Sequence, residues 1–336
     1  MSTHESNVAA LEQTEKNLLF IVGSGRCGTT ILRAMFDSHP EYAIPSETHL
    51  FNHYEQYHRQ KFENPATRDQ GFVDLFKEDR IEGIRLDQGR VKELLAETDG
   101  SWENLFLAML TTYRESRNRH RAGEKSPKHL VRIEHLHKAY PDAKFIHVVR
   151  DPRAVVSSFV NAKFYKYAEG KNPYRAIDKW VQAMKIHRMV MGWPDHSCYA
   201  TTRYEDLVTQ PEVELRRLCE FMSVEFDPNM IDYKNHATVG FVRDEKNRAG
   251  IRTDLHQGSL ETWRQKIPAK LIAMTEALCG NGMEEFGYKR DTASTSLPVL
   301  LEARMLGVAA EVREVAKGLA KKFGAKRDRP SVPVVD

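Results

Sequence analysis

The sequence predicts an α/β fold, a central parallel sheet flanked by helices, and three observations carry that reading. Asn17–Val22 and Ala143–Val149 are apolar runs of the kind that strands buried on both faces require. A glycine-rich turn, Gly23 to Gly28, separates the first run from a segment with helical spacing. Mixed-charge, helix-spaced stretches then lie between the runs, roughly Leu50–Arg121 and Pro173–Met191.

Taken in order, residues 1–16 carry no strong apolar pattern and are expected to be a flexible N-terminus. Strand Asn17–Val22 follows, then the glycine turn, then a helix over Thr29–Ser38 with Ile31, Leu32, Met35 and Phe36 on one side. Strand, glycine loop and helix in that order form the phosphate-binding unit of an α/β domain. Ala143–Val149 leads through Arg150-Asp151-Pro152-Arg153 into another helix. Ser197–Arg203 reads as a third strand, and Pro211 opens a helix over Glu212–Met222. From Val224 to Trp263 the pattern weakens into loops suited to covering a site. The main domain is expected over 17–290. The remainder, 291–336, holds an amphipathic helix (Val299–Phe323) and a basic tail. That helix suits packing on its own domain, a homodimer contact, or peripheral contact with a membrane.

Composition bounds the function. The 336 residues include 50 Lys and Arg against 47 Asp and Glu, a net charge of +3. The segment from Thr295 onward has eight basic and five acidic residues and so holds the whole surplus. A formally neutral body argues against nucleic acid as a partner, while local basic clusters remain able to bind a small polyanion. No apolar run is long enough to span a bilayer, and the N-terminal residues lack a signal-peptide pattern, so a cytoplasmic location is expected. Cys27, Cys198, Cys219 and Cys279 are too widely spaced for a CxxC motif, and Cys27 reads as a small residue in a tight loop.

Gly23-Ser24-Gly25-Arg26-Cys27-Gly28-Thr29-Thr30 fits two patterns. It contains GxGxxG, with Glu47 about twenty residues on, as a dinucleotide-binding unit would have. It also nearly matches the P-loop, with Thr29 where the lysine belongs. Two hydroxyls and several backbone N–H groups at a helix start suit a tetrahedral anion, and Arg26 can supply the missing charge. Three functions stay open on these residues: a transferase handling a phosphate-bearing donor, an NAD(P)-dependent Rossmann oxidoreductase, and a non-catalytic nucleotide-binding scaffold.

The run from Phe20 to Thr48 resembles the sulfotransferases that use 3′-phosphoadenosine-5′-phosphosulfate (PAPS), most closely the tyrosylprotein sulfotransferase branch. That resemblance implies a P-loop-related three-layer fold with a central parallel sheet. It implies PAPS as donor, adenosine 3′,5′-bisphosphate (PAP) as product, and no required metal. It implies that Ser24, Gly25, Arg26, Cys27, Gly28, Thr29 and Thr30 cradle the phosphosulfate. Arg150, at a strand end, and Ser158, eight residues later, are then expected to grip the 3′-phosphate by charge-assisted hydrogen bonds. Tyr204 matches a position near the adenosine end, although a half-buried strand-end tyrosine fits as well.

The same resemblance assigns the chemistry. Sulfuryl transfer resembles phosphoryl transfer and needs a base for the acceptor, cations for the moving group and a donor for the leaving phosphate. Glu47 is the expected base, held by an extended approach through Pro45, with His49 as the competing base. Lys125, presented by Pro127, and Arg26 are the expected catalytic cations. Arg252 or Ser259 is the candidate for a late donor contact. His49 stands where the tyrosylprotein branch has arginine, which leaves the acceptor open among glycan, lipid, natural-product and protein tyrosine hydroxyls.

Overall fold

The computed structural model describes residues 3–162, 172–236 and 260–291, together with Met305. Five strands form one parallel sheet: β1 (Leu19–Gly23), β2 (Tyr42–Ala43), β3 (Arg121–Lys125), β4 (Lys144–Val149) and β5 (Tyr199–Arg203). Their order is β2-β3-β1-β4-β5. Every residue of β1 is buried, as its apolar run demands for the central strand. Phe20 stacks on Phe145 of β4 at 5.0 Å and on Phe106 at 5.9 Å, between the sheet and the helix Trp102–Ser116.

After β1 the chain moves to one side of the sheet for β2 and β3, then crosses to the other for β4 and β5. Such a reversal opens a crevice at the carboxyl ends of the strands. The register puts the functional segments there together. Ile21 pairs with Lys125, Gly23 with Val148, and Val149 with Arg203. The glycine loop, the end of β3, Arg150 and Tyr204 therefore leave the sheet at one edge.

One sequence expectation changes, and a strand appears that the apolar runs do not predict. Residues Thr3–Lys16, expected to be flexible, form the helix α1. It is fastened by polar side chains: Thr14 accepts from Thr111 (2.9 Å) and from Arg114 Nε (3.1 Å), and Asn7 accepts from Arg90 (2.7 Å). Leu11 is buried, yet most of that face is held by hydrogen bonds, so apolar periodicity carried little sign of it. β3 was marked only by its lysine, because Arg-Ala-Gly-Glu-Lys contains no apolar run.

One hydrophobic cluster extends from Leu11 to Tyr288. Apart from Met305, the expected helix Val299–Phe323 lies outside the described residues, as do the basic tail, Arg252, Ser259 and most of the Val224–Trp263 loops. Among the described residues, no helix is long and apolar enough to cross a membrane.

Candidate active site

The glycine loop is shaped by close approach. A Cβ on Gly23 would lie 2.5 Å from Cys27 Sγ and 2.9 Å from the Val148 carbonyl oxygen, so the loop can turn against β4 only as glycine. Cys27 is fully buried there, and burial pushes its thiol up, which makes it a packing residue. Gly25, Arg26 and Gly28 all have positive φ (85°, 56° and 102°), a succession that turns backbone N–H groups toward one concavity. The following helix α2 (Thr29–Asp37) has no side-chain cap at its start. Its first N–H groups and its dipole thus suit an anion.

Beside that cradle stands a paired acid and base. Lys125, nearly buried at the end of β3, donates through Nζ to Glu47 Oε1 and also to Thr30 Oγ1 at 3.3 Å. Burial pushes the Glu47 carboxyl up. The Lys125 ammonium and the hydrogen bond from His49 outweigh it and hold Glu47 well below the usual carboxylate range. Glu47 is therefore ionised at neutral pH.

His49 is the partner of Glu47 rather than its rival. Its Nε2 lies 3.0 Å from Glu47 Oε2, and its Nδ1 lies 3.1 Å from Asn52 Oδ1. Asn52 Nδ2 is buried without a hydrogen-bond partner. In either orientation of that amide the ring is held with Nε2 directed at Glu47.

The loop that carries Glu47 is pinned at both ends by buried groups. Arg33 Nε, on α2, donates to the Ile44 carbonyl at 2.9 Å, and Asp37 accepts from Ile44 N–H at 2.9 Å. At the other end, Glu124 accepts from both the N–H and the hydroxyl of Thr48, and Ser126 Oγ accepts from His49 N–H at 3.4 Å. Burial pushes Glu124 up to about 7, and burial pulls its neighbour His129 down to about 3.

A second anion grip lies on the β4 side. Arg150 leaves the end of β4, with its carbonyl held by Trp180 Nε1 at 2.9 Å. Its guanidinium lies 4.3 Å from the Tyr204 ring centre and reaches the Arg26 carbonyl at 3.3 Å. Arg150 Nε is buried and makes no hydrogen bond, so the site holds a donor awaiting an acceptor. Asp151 does not quench this charge, because Arg153 takes both of its oxygens at 3.0 and 2.7 Å. Arg26 Nε donates to Ser158 Oγ at 3.1 Å and so joins this grip instead of facing Glu47. Tyr204 also packs on the glycine loop: a Cβ on Gly28 would lie 2.3 Å from its ring.

The model of the sulfotransferase family matches residues 19–228, a span that includes the glycine loop, Glu47, Lys125, Arg150, Ser158 and Tyr204. The chain belongs to the sulfotransferase family. Human protein-tyrosine sulfotransferase 1 is 26% identical over 260 residues, a match covering 76% of this chain and 65% of that protein. The sulfotransferase domain of an olefin synthase from Synechococcus PCC 7002 aligns with a TM-score of 0.56 at 20% identity, covering 81% of this chain and 94% of that one. The sulfotransferase domain of the curacin biosynthetic pathway aligns with the same score at 23% identity, covering 81% and 97%. These two likenesses show the fold, and this chain spans just under two thirds of the human relative's length.

Within this sulfotransferase fold, the residues expected from sequence fall into two groups. Glu47, Lys125 and Thr30 meet on the β3 side, and Arg26, Arg150, Ser158 and Tyr204 meet on the β4 side, with the loop from Ser24 to Thr29 between them. Tyr204 supports Arg150 and Gly28, a role read from its packing. Among the described residues, no group of three or more His, Cys, Asp or Glu side chains has the arrangement to hold a metal ion. Sequence reasoning missed Glu124, Thr48, Ser126, Arg33 and Asp37, whose pairings join distant segments and leave no local pattern.

Proposed function

We propose that this chain moves a sulfuryl group from PAPS to an acceptor hydroxyl. One observation carries the reading: Lys125 Nζ joins the ionised Glu47 to the uncapped start of α2, so a base, a cation and an anion cradle are contiguous. Arg150 Nε, which has no acceptor, and Ser158, joined to Arg150 through Arg26, fit the second phosphate that PAPS carries. Residues at both ends of the loop therefore suit that donor.

PAPS supplies an SO₃ group on a phosphate leaving group. The chain's own part follows from charge. Glu47 accepts the proton of the acceptor hydroxyl as that oxygen bonds to sulfur. Lys125 neutralises charge that grows on the bridging oxygen as the old S–O bond breaks. An anion at the α2 start competes with Glu47 for Lys125. Donor binding then loosens the ion pair and raises the proton affinity of Glu47 when a base is needed. His49 keeps the carboxylate oriented throughout.

The strand order weighs against a nicotinamide dehydrogenase. The dinucleotide fold sets β2 beside β1, so that the acidic residue reaches a ribose. Here β3 takes that place, and Glu47 is engaged by Lys125 and His49. Calorimetry with PAP and with NAD tests the assignment. We expect stoichiometric PAP binding and no heat with NAD; NAD binding without PAP binding overturns it.

A further inference from the structure

Beside the glycine loop lies a cavity of about 470 Å³ that touches the loop only at Gly23 and Ser24. Arg26, Arg150, Ser158 and Tyr204 do not line it. Its walls come from segments that follow the two catalytic candidates, 51–56 after Glu47 and 128–132 after Lys125, and from residues 179–186 of the helix Pro173–Met191. Glu47 and Lys125 do not themselves line it, but the chain that follows each of them does, beside the start of the glycine loop.

Charge and polarity divide the cavity. Phe51, Leu130, Val131 and Ile186 supply apolar wall, with Val131 half exposed to whatever enters. The one lining carboxylate, Glu55, is already spent: Arg132 donates to it at 2.8 Å and Arg59 at 2.8 Å. Lys128 and Lys179 also line the cavity, and neither has a carboxylate partner among the described residues. Lys179 lies over the Phe159 ring with Nζ 5.3 Å from its centre. Burial, then the charges of Lys128 and Arg175, pull Lys179 down to about 8. Burial likewise pulls His53 down, so that ring adds no positive charge at neutral pH. The cavity thus presents two uncompensated ammonium groups beside an apolar wall.

We propose that the acceptor is a small anionic amphiphile, whose carboxylate or phosphate is recognised by Lys128 and Lys179 while its apolar body lies on Phe51, Leu130, Val131 and Ile186. This rests on the sulfuryl-transfer reading and specifies its acceptor. Lys179 is half-buried and Lys128 exposed, and the repulsion between these like charges is relieved when an anion arrives, so the site favours charged hydroxyl compounds over neutral ones. Lysine is a point charge without the planar fork of arginine, so it accepts either a flat carboxylate or a tetrahedral phosphate. The volume is that of a small-molecule site.

The test measures binding to the full chain loaded with PAP. The probes are ω-hydroxydodecanoate, its methyl ester and ω-hydroxydodecyl phosphate. We expect the carboxylate, the phosphate or both to bind roughly tenfold or more tightly than the ester. The Lys128→Gln/Lys179→Gln double variant should erase that preference and still bind PAP, which verifies its fold. Equal binding of the ester, no binding of either anion to PAP-loaded protein, or a preference surviving in the double variant overturns the proposal. Failure of the wild-type chain to bind PAP overturns the sulfuryl-transfer reading instead, and the two failures are separable.

Discussion

Glu124 holds Thr48 by both of its hydrogens, the backbone N–H at 3.3 Å and the hydroxyl at 3.1 Å. The strand that ends in the candidate cation thereby also fixes the residue next to the candidate base. Glu47 and Lys125 lie 78 residues apart in sequence and meet where their neighbours are bonded to each other.

Removing that bond should affect turnover more than donor binding. Glu124→Ala leaves the Thr48 N–H unsatisfied in a dry site, a cost of about 1–3 kcal/mol. We expect kcat to fall about tenfold or more while PAP affinity, measured by calorimetry, is retained. A parallel loss of both would give Glu124 a general folding role.

Glu124 also sets a pH signature. Burial raises its folded pKa to about 7, above the ordinary carboxylate value, so the native state binds the extra proton between roughly pH 4.5 and 7. Its contribution is fully present below the unfolded value and is lost as pH rises through the folded one. Glu124→Gln should therefore flatten the decline in stability across that window, by up to about 3 kcal/mol. Denaturant midpoints at several pH values report it, and an unchanged slope would contradict it.

The β4 grip should select the second phosphate. Wild-type protein is expected to bind PAP far more tightly than adenosine 5′-monophosphate, which lacks it. Arg150→Ala should remove most of that preference, and Arg150→Lys should restore little, because an ammonium lacks the planar face that stacks on Tyr204. Calorimetry with both nucleotides decides the matter. A preference that survives in Arg150→Ala would remove this residue from the phosphate site.

Gly28→Ala should disable the loop. The new Cβ would lie 2.3 Å from the Tyr204 ring and would have to adopt a φ of 102°. Tyr204, and Arg150 above it, would have to move. A loss of about 1–3 kcal/mol in stability is expected, along with weakened PAP binding. Thermal unfolding and titration measure the two effects.

These outcomes rest on features that the sequence exposed unevenly. β1, the glycine loop, α2, β4 and the helix Pro152–Val160 were legible, because a doubly buried strand must be apolar and a phosphate turn needs glycine. β2 is only two residues long, and β3 buries Glu124 and Lys125, so neither shows strand periodicity. Glu47, Lys125, Arg150 and Ser158 were found by resemblance. The contact of Arg26 with Ser158, the orientation of His49 toward Glu47, and the clamp of Arg33 and Asp37 on Ile44 all depend on which segments the sheet brings together. No spacing within one segment records them.

Transfer of labelled sulfate from PAPS to a panel of hydroxyl acceptors, run with wild-type protein and with Glu47→Gln, tests the central claim most directly. The wild type should form labelled ester. The variant should be slower by about 10² to 10⁴ and should bind PAP at least as tightly, since Lys125 is then released from its ion pair. Equal transfer by the two proteins would contradict the account.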